Sequence, residues 1–432
     1  MTEAFMHYIW FEKRFFPYQE TVEGVPVEII DVGRPNEDAG PDVFNAKIKL
    51  GSMVWAGNVE FHLKASDWYS HHHHEDPVYN STILHVVLQS NRLICKNERG
   101  EIVPQIILRY PKFLEERFQV MLSPSQAFIH CAPYFQDVSR DELKFFLDRL
   151  LVERFERKVN EVSMRWEQQN NNWDVAFFLT LARSFGFSTN AAAFELLGQR
   201  VPWLKVLALK TSKSLSWEEK QRALEALFLG VSGLEPQGTR SAYEDQLHHW
   251  MLWWKEEMGV TLVNLAPKLW KFLRLYPAGF PTVRVAQFSA LVLKAPQNLG
   301  ACLGVETLPA VLKWLEVAPS PFWQTHYRFG SSAVLNEKRL SKASREGLVV
   351  NTVVPFLLAY ARELGDEGLG EKVLHWLEVL PPESNKLIRG FRDLGLEVHS
   401  AYDTQALIQL KTAYCNTRNC LRCVVGHQIL KY

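Results

Sequence analysis

The segment from Asp42 to Lys64 has little freedom in how it folds. Gly51-Ser52 is a natural two-residue hairpin turn, and the residues on either side alternate apolar and polar with period two. Pairing Leu50 with Met53 sets Ile48 opposite Trp55, Ala46 opposite Gly57 and Phe44 opposite Val59. A slip of one residue would turn all of these to the other face, so the agreement at successive positions specifies the register.

That register carries chemistry with it. Asp42 falls beside the Glu60–Phe61 pair, and Glu60, His62 and Lys64 share the face opposite Val59, Phe61 and Leu63. Neighbouring carboxylates on adjacent strands form the hard oxygen site that Mg²⁺ or Mn²⁺ prefers. Strict pairing leaves Asp42 on the face of Phe61, away from Glu60. One extra residue in the second strand, at Gly57-Asn58, is expected to bring the two carboxylates to one side. The bland alternative is an exposed hairpin with solvated charges.

An Asp opening one strand of a hairpin, a Glu two residues before a basic side chain on the next, and an apolar strand after them resemble the PD-(D/E)XK nuclease superfamily. Here those places are taken by Pro41-Asp42, Glu60-Phe61-His62 and Thr82 to Leu88. The resemblance implies a restriction-endonuclease-like mixed sheet and Asp42 and Glu60 as ligands of Mg²⁺ or Mn²⁺ at a scissile phosphate. It departs at the lysine, since His62 stands in its place and Lys64 lies two residues on. Asp42, Glu60, His62 and Lys64 are the expected catalytic set.

Between the Glu60 strand and the next lies His71-His72-His73-His74, followed by Glu75, Asp76 and Tyr79. Such a loop is either solvated or a transition-metal site. His71 and His73 are taken as lining the site, with no role for His72 or His74. His85 interrupts the strand Ile83-Leu84-His85-Val86-Val87, whose continuous apolar character predicts burial on both faces. A buried histidine needs a partner, and Asp76 or Tyr79 could serve. Asp76 and His85 complete the secondary candidates.

A second resemblance rests on more residues. His7-Tyr8-Ile9-Trp10, Ala39-Gly40-Pro41-Asp42, Trp55 to Glu60, Ser66-Asp67-Trp68 and Ile83 to Val87 are dense matches to a bacterial family, domain-of-unknown-function family 2851. Looser ones include Phe280 to Gln287, Asn351 to Pro355 and the terminal cysteines. That family implies no activity.

Beyond about Pro111 the pattern turns helical. Arg140 to Trp166 reads as one long amphipathic helix. Others are expected near 173–186, 190–199, 216–229, 240–257, 283–295, 305–316, 331–344, 350–364, 368–378 and 404–413. The expected architecture is an α/β or α+β domain over 1–112 and an irregular α-helical domain over 113–432. Its end carries Cys415, Cys420 and Cys423, a Cys-x₄-Cys-x₂-Cys triplet suited to Zn²⁺ or an iron–sulfur cluster, with Cys131 or His427 as fourth ligand.

Charge and hydropathy bound the rest. Lys+Arg 48 against Asp+Glu 48 excludes a generally basic nucleic-acid coat protein but not a local basic groove, for which Lys338, Arg339, Lys342 and Arg345 are candidates. The most apolar stretch, Leu348 to Ala361, is broken by Asn351, Thr352 and Pro355 and reads as too short to span a bilayer. The expectation is a cytoplasmic, metal-dependent nuclease acting on nucleic acid, without a membrane partner. A helical scaffold or binding module retaining a degenerate site, and a His-dependent zinc hydrolase, are the alternatives.

Overall fold

The computed structural model describes all residues except 37, 93, 124–126, 237–240, 262, 297–305 and 432. Two compact units divide the chain. One comprises Met1–Phe146 with Leu410–Tyr432, the other Leu147–Gln409. The first unit thus extends beyond the boundary expected after residue 112 and includes the terminal cysteines, which the helical pattern groups with the second.

The first unit is built on a mixed sheet. Its strands are β1 (Gln19–Glu20), β2 (Pro26–Asp31), β3 (Val43–Leu50), β4 (Met53–Lys64), β5 (Thr82–Gln89) and β6 (Gln105–Ile107), adjacent in that order, with the short strand Arg34–Pro35 also on β3. Pairing is antiparallel from β1 to β4 and parallel from β4 to β6. The hairpin has the expected register, Leu50 with Met53, Ile48 with Trp55 and Ala46 with Gly57. β5 is buried along Thr82–Val87, as its mostly apolar run, interrupted at His85, predicts. Helix α1 (Glu3–Phe11) buries Phe5, Met6, Ile9 and Trp10, and Trp10 meets Phe61 edge-on while its indole N–H donates to the Val32 carbonyl at 2.8 Å.

A parallel β4–β5 pair cannot be closed by a tight turn. The chain must cross back over the sheet before β5 begins. Residues 65–81 make that crossing through the single-turn helix α2 (Asp67–Ser70) and a 3₁₀ turn, Pro77–Ser81. The histidine run lies on this crossing, so the topology itself carries it back along the strand that bears Glu60 and His62.

The second unit is helical, with a buried core that includes Phe177, Phe228, Phe288, Trp254 and Phe356. The expected helices near 173–186, 216–229, 240–257, 283–295 and 368–378 are Trp173–Phe185, Trp217–Ser232, Ala242–Glu256, Pro281–Lys294 and Glu367–Val379. The helix expected over 331–344 does not form. Ser331–Ser332 pairs with His326–Arg328 in a small hairpin, and helix resumes only at Lys342 under a Ser341 cap. From there a continuous 23-residue helix runs to Leu364, longer than the sequence suggested, because a π turn over Val349–Val353 absorbs Pro355 at the start of the next α segment. By length and composition that helix could cross a bilayer, yet 61% of its apolar window is buried inside the protein. The basic group expected to line a groove is largely taken up internally. Arg339 and Arg345 pair with Glu316, and Lys338 is buried with its ammonium on the Gln324 carbonyl.

Candidate metal centre

Asp42 precedes β3, and a bulge decides where it points. Val43 pairs with Val59 and Ala46 with Gly57, so the extra residue lies on the first strand, at Phe44-Asn45. This corrects the expectation of an insertion at Gly57-Asn58. Asn45 takes the left-handed conformation (φ +56°), which asparagine tolerates, and its N–H is 3.3 Å from the Asn58 side-chain oxygen. Gly57 has another task, since a Cβ there would stand 2.4 Å from Ile83 Cγ2 on the neighbouring strand. The bulge brings Asp42 and Glu60 together through the backbone. The Asp42 N–H donates to Glu60 Oε2 and the Phe61 N–H donates to Asp42 Oδ2, each at 3.0 Å.

The histidines close around the other oxygen of Glu60. α2 begins where Asp67 accepts the Lys64 N–H, and it is anchored by buried Trp68, whose indole donates to the Lys96 carbonyl. His72 then adopts φ +62°, and the turn sends alternate rings in opposite directions. His73 is buried with its Nε2 3.1 Å from Glu60 Oε1, while His72 and His74 turn to Glu75. His71 stays exposed, yet its Nδ1 is 3.1 Å from His62 Nε2, which lies 3.8 Å from Glu60 Oε1. The ligand atoms of His62, His71 and His73 all fall within 4.8 Å of one another.

Behind His62 sits His85, paired with Glu60 in the parallel register. His85 Nε2 is 2.9 Å from His62 Nδ1. With the proton on His62 Nδ1, the Nε2 lone pair faces His71 and Glu60. Such a second contact is how a ligating imidazole is held in one tautomer. Gln105 beside His85 favours the protonated form of that ring, although His85 Nδ1 has no well-aligned hydrogen bond. Tyr79 stacks on His73 at 3.8 Å between ring centroids.

Burial dominates the electrostatics. It pushes His62 down to about 2, helped by the neighbouring rings of His85, His73 and His71, and His85 down to about 3. Both are therefore neutral donors at physiological pH. Burial also raises the Glu60 carboxyl, with Asp42 adding to the effect and His73 opposing it. The Glu60–His73 contact is short, but His73 Nε2 lacks the alignment of a hydrogen bond.

A family model described as "Protein of unknown function (DUF2851)" matches residues 3–386. The chain belongs to the DUF2851 family. Neither a comparison with curated proteins nor one with solved structures returned a match.

In this DUF2851 chain the other candidates are dispersed. Lys64 is exposed, and among the described residues none is hydrogen-bonded or ion-paired to its ammonium. Asp76 caps the 3₁₀ turn by accepting the Val78 N–H at 2.9 Å. Two groups absent from the sequence candidates join from α1. His7 Nε2 is 3.4 Å from Asp42 Oδ2, and half-buried Glu3 is raised by burial and by the Asp42 charge. Their four-residue spacing on one helix face was the available signal. Cys131, Cys415, Cys420 and Cys423 form a separate group.

Proposed function

We propose that this chain is a divalent-metal-dependent hydrolase, with the metal held by Glu60, His62, His71 and His73 and phosphodiesters as the substrate class. The observation that carries the reading is the convergence of three imidazole nitrogens and one buried carboxylate oxygen. A charged carboxylate in such surroundings is costly unless a cation offsets it. The nitrogen-rich donor set suits Zn²⁺ or Mn²⁺ better than Mg²⁺, which favours oxygen. A metal there would supply a Lewis acid and an activated water.

The chain's own groups have distinct tasks. Asp42 holds Glu60 in place through its N–H, and His85 orients His62. Exposed His71 marks the open side, where a phosphate can approach. His7 with Asp42 and Glu3 supplies a proton acceptor at the rim. The phosphodiester assignment rests on the resemblance of the Asp42–Glu60 hairpin to PD-(D/E)XK nucleases, including their restriction-endonuclease-like sheet.

The test is Mn²⁺- and Zn²⁺-dependent hydrolysis of bis(p-nitrophenyl) phosphate and of single- and double-stranded DNA and RNA, with metal affinity measured in parallel. Activity should be lost in His73→Ala and Glu60→Gln. Metal affinity unchanged in both variants would overturn the assignment. A second reading, a binding module with a degenerate site, is favoured by the outward position of Lys64. It predicts the same metal affinity without turnover.

A further inference from the structure

Four of the five described free cysteines gather in one place. Cys131, Cys415, Cys420 and Cys423 line a single small pocket, closed by Met121 and Tyr414. The first is far from the others in sequence. The fold joins them by specific contacts: the Lys411 ammonium donates to the Phe128 carbonyl at 2.7 Å, and the Arg418 guanidinium donates to the Leu122 carbonyl at 2.8 Å. Cys420 and Cys423 sit at the ends of a 3₁₀ turn, the Cys423 N–H donating to the Cys420 carbonyl. Gly426 permits that turn to pack on the following helix, because a Cβ there would stand 2.0 Å from the Cys420 oxygen.

We propose that these four cysteines form a metal centre with four thiolate ligands, separate from the histidine site and occupied by Zn²⁺ or an iron–sulfur cluster. Two thiols at Cys-x₂-Cys spacing on a tight turn, with a third five residues before them and a fourth from a distant segment, form a four-thiolate donor set that suits both. A cation bound there would be held by thiolates, the thiols releasing their protons on binding. Lys411 beside Cys131 and Cys415, and Arg418 beside Cys420, supply the positive charge that a four-thiolate centre needs around it.

His427, the other candidate for the fourth ligand, is engaged elsewhere. Its Nε2 meets the Leu421 carbonyl and its ring packs edge-on against Tyr8. It is not among the residues lining the thiol pocket.

The experiment is metal and acid-labile sulfide analysis of the full-length protein purified without oxygen and without an affinity metal, beside Cys131→Ser and Cys420→Ser. The control is Cys95→Ser, a buried thiol outside the group. Zinc held by sulfur, or iron with matching sulfide and broad visible absorption, is expected. Each cysteine variant should hold about one equivalent of metal less than the wild type, and Cys95→Ser should match the wild type. Should the variants fail to fold, X-ray absorption on the wild-type protein decides. Metal–sulfur scattering supports the centre and identifies its metal. Nitrogen and oxygen neighbours alone, or no metal retained by the folded wild type, overturn it.

Discussion

Glu60→Gln should change stability in opposite directions with and without metal. Glu60 is 5% exposed, and burial raises its carboxyl above the ordinary value. A raised folded-state value means that its contribution is fully present below the unfolded carboxyl value, about 4.3, and is lost as pH rises through the folded one. At pH 7.5 in chelator the ionised group therefore works against the fold, by about 1.4 kcal/mol for each unit of elevation. Glutamine keeps the shape and can still accept the Asp42 N–H, so the chelated variant should melt above the chelated wild type. Metal reverses the order. A ligand at a hundred times its Kd stabilises by about 2.7 kcal/mol. For a unit of about 170 residues that corresponds to a Tm rise of about 5 to 11 °C, which the variant should largely lose. Calorimetric melts of both proteins in EDTA and in excess Mn²⁺ or Zn²⁺ measure all four states. If the variant melts lower in EDTA, and metal raises both proteins equally, Glu60 is a structural hydrogen-bond acceptor and the metal-centre argument fails.

Three further outcomes are expected. His71→Ala should weaken Mn²⁺ or Zn²⁺ affinity at least tenfold by titration calorimetry, whereas Lys64→Ala should leave it within about twofold, because only His71 reaches the cluster. In the second unit, Glu225 is fully buried, raised by burial to about 7, and accepts from the Tyr243 hydroxyl and the Trp323 indole. Its stabilising contribution should fall as pH rises from 5 through 7, by about 3 kcal/mol at most, and Glu225→Gln should flatten the pH dependence of the urea midpoint. Gly57→Ala, which forces a Cβ against Ile83, should cost about 1 to 3 kcal/mol in urea unfolding and loosen the β4–β5 junction.

Local pattern was enough to write the hairpin. The turn at Gly51-Ser52 and the alternation around it need no distant partner, and the same is true of the apolar run that becomes β5 and of the long helix from Arg140. Where a feature depends on what a segment packs against, the sequence was silent or misleading. Alternation shows that Asp42 and Glu60 need a bulge to meet, but not that Asn45, able to take a positive φ, would host it in place of Gly57, which must stay bare beside Ile83. The small hairpin at 326–332 overrode a helical pattern. The contact of His62 with His85 depends on a parallel register that sets His85 opposite Glu60, two residues before His62, and no single strand encodes it. Glu3 and His7 join the site because α1 packs on the sheet, and Cys131 meets Cys415, Cys420 and Cys423 because the last segment folds back onto the first unit. Residue types and the alternation within each short segment are local properties, legible along the chain. Which of those residues share a site is set by packing of the whole unit, because closing distant segments onto one another leaves no local period to read.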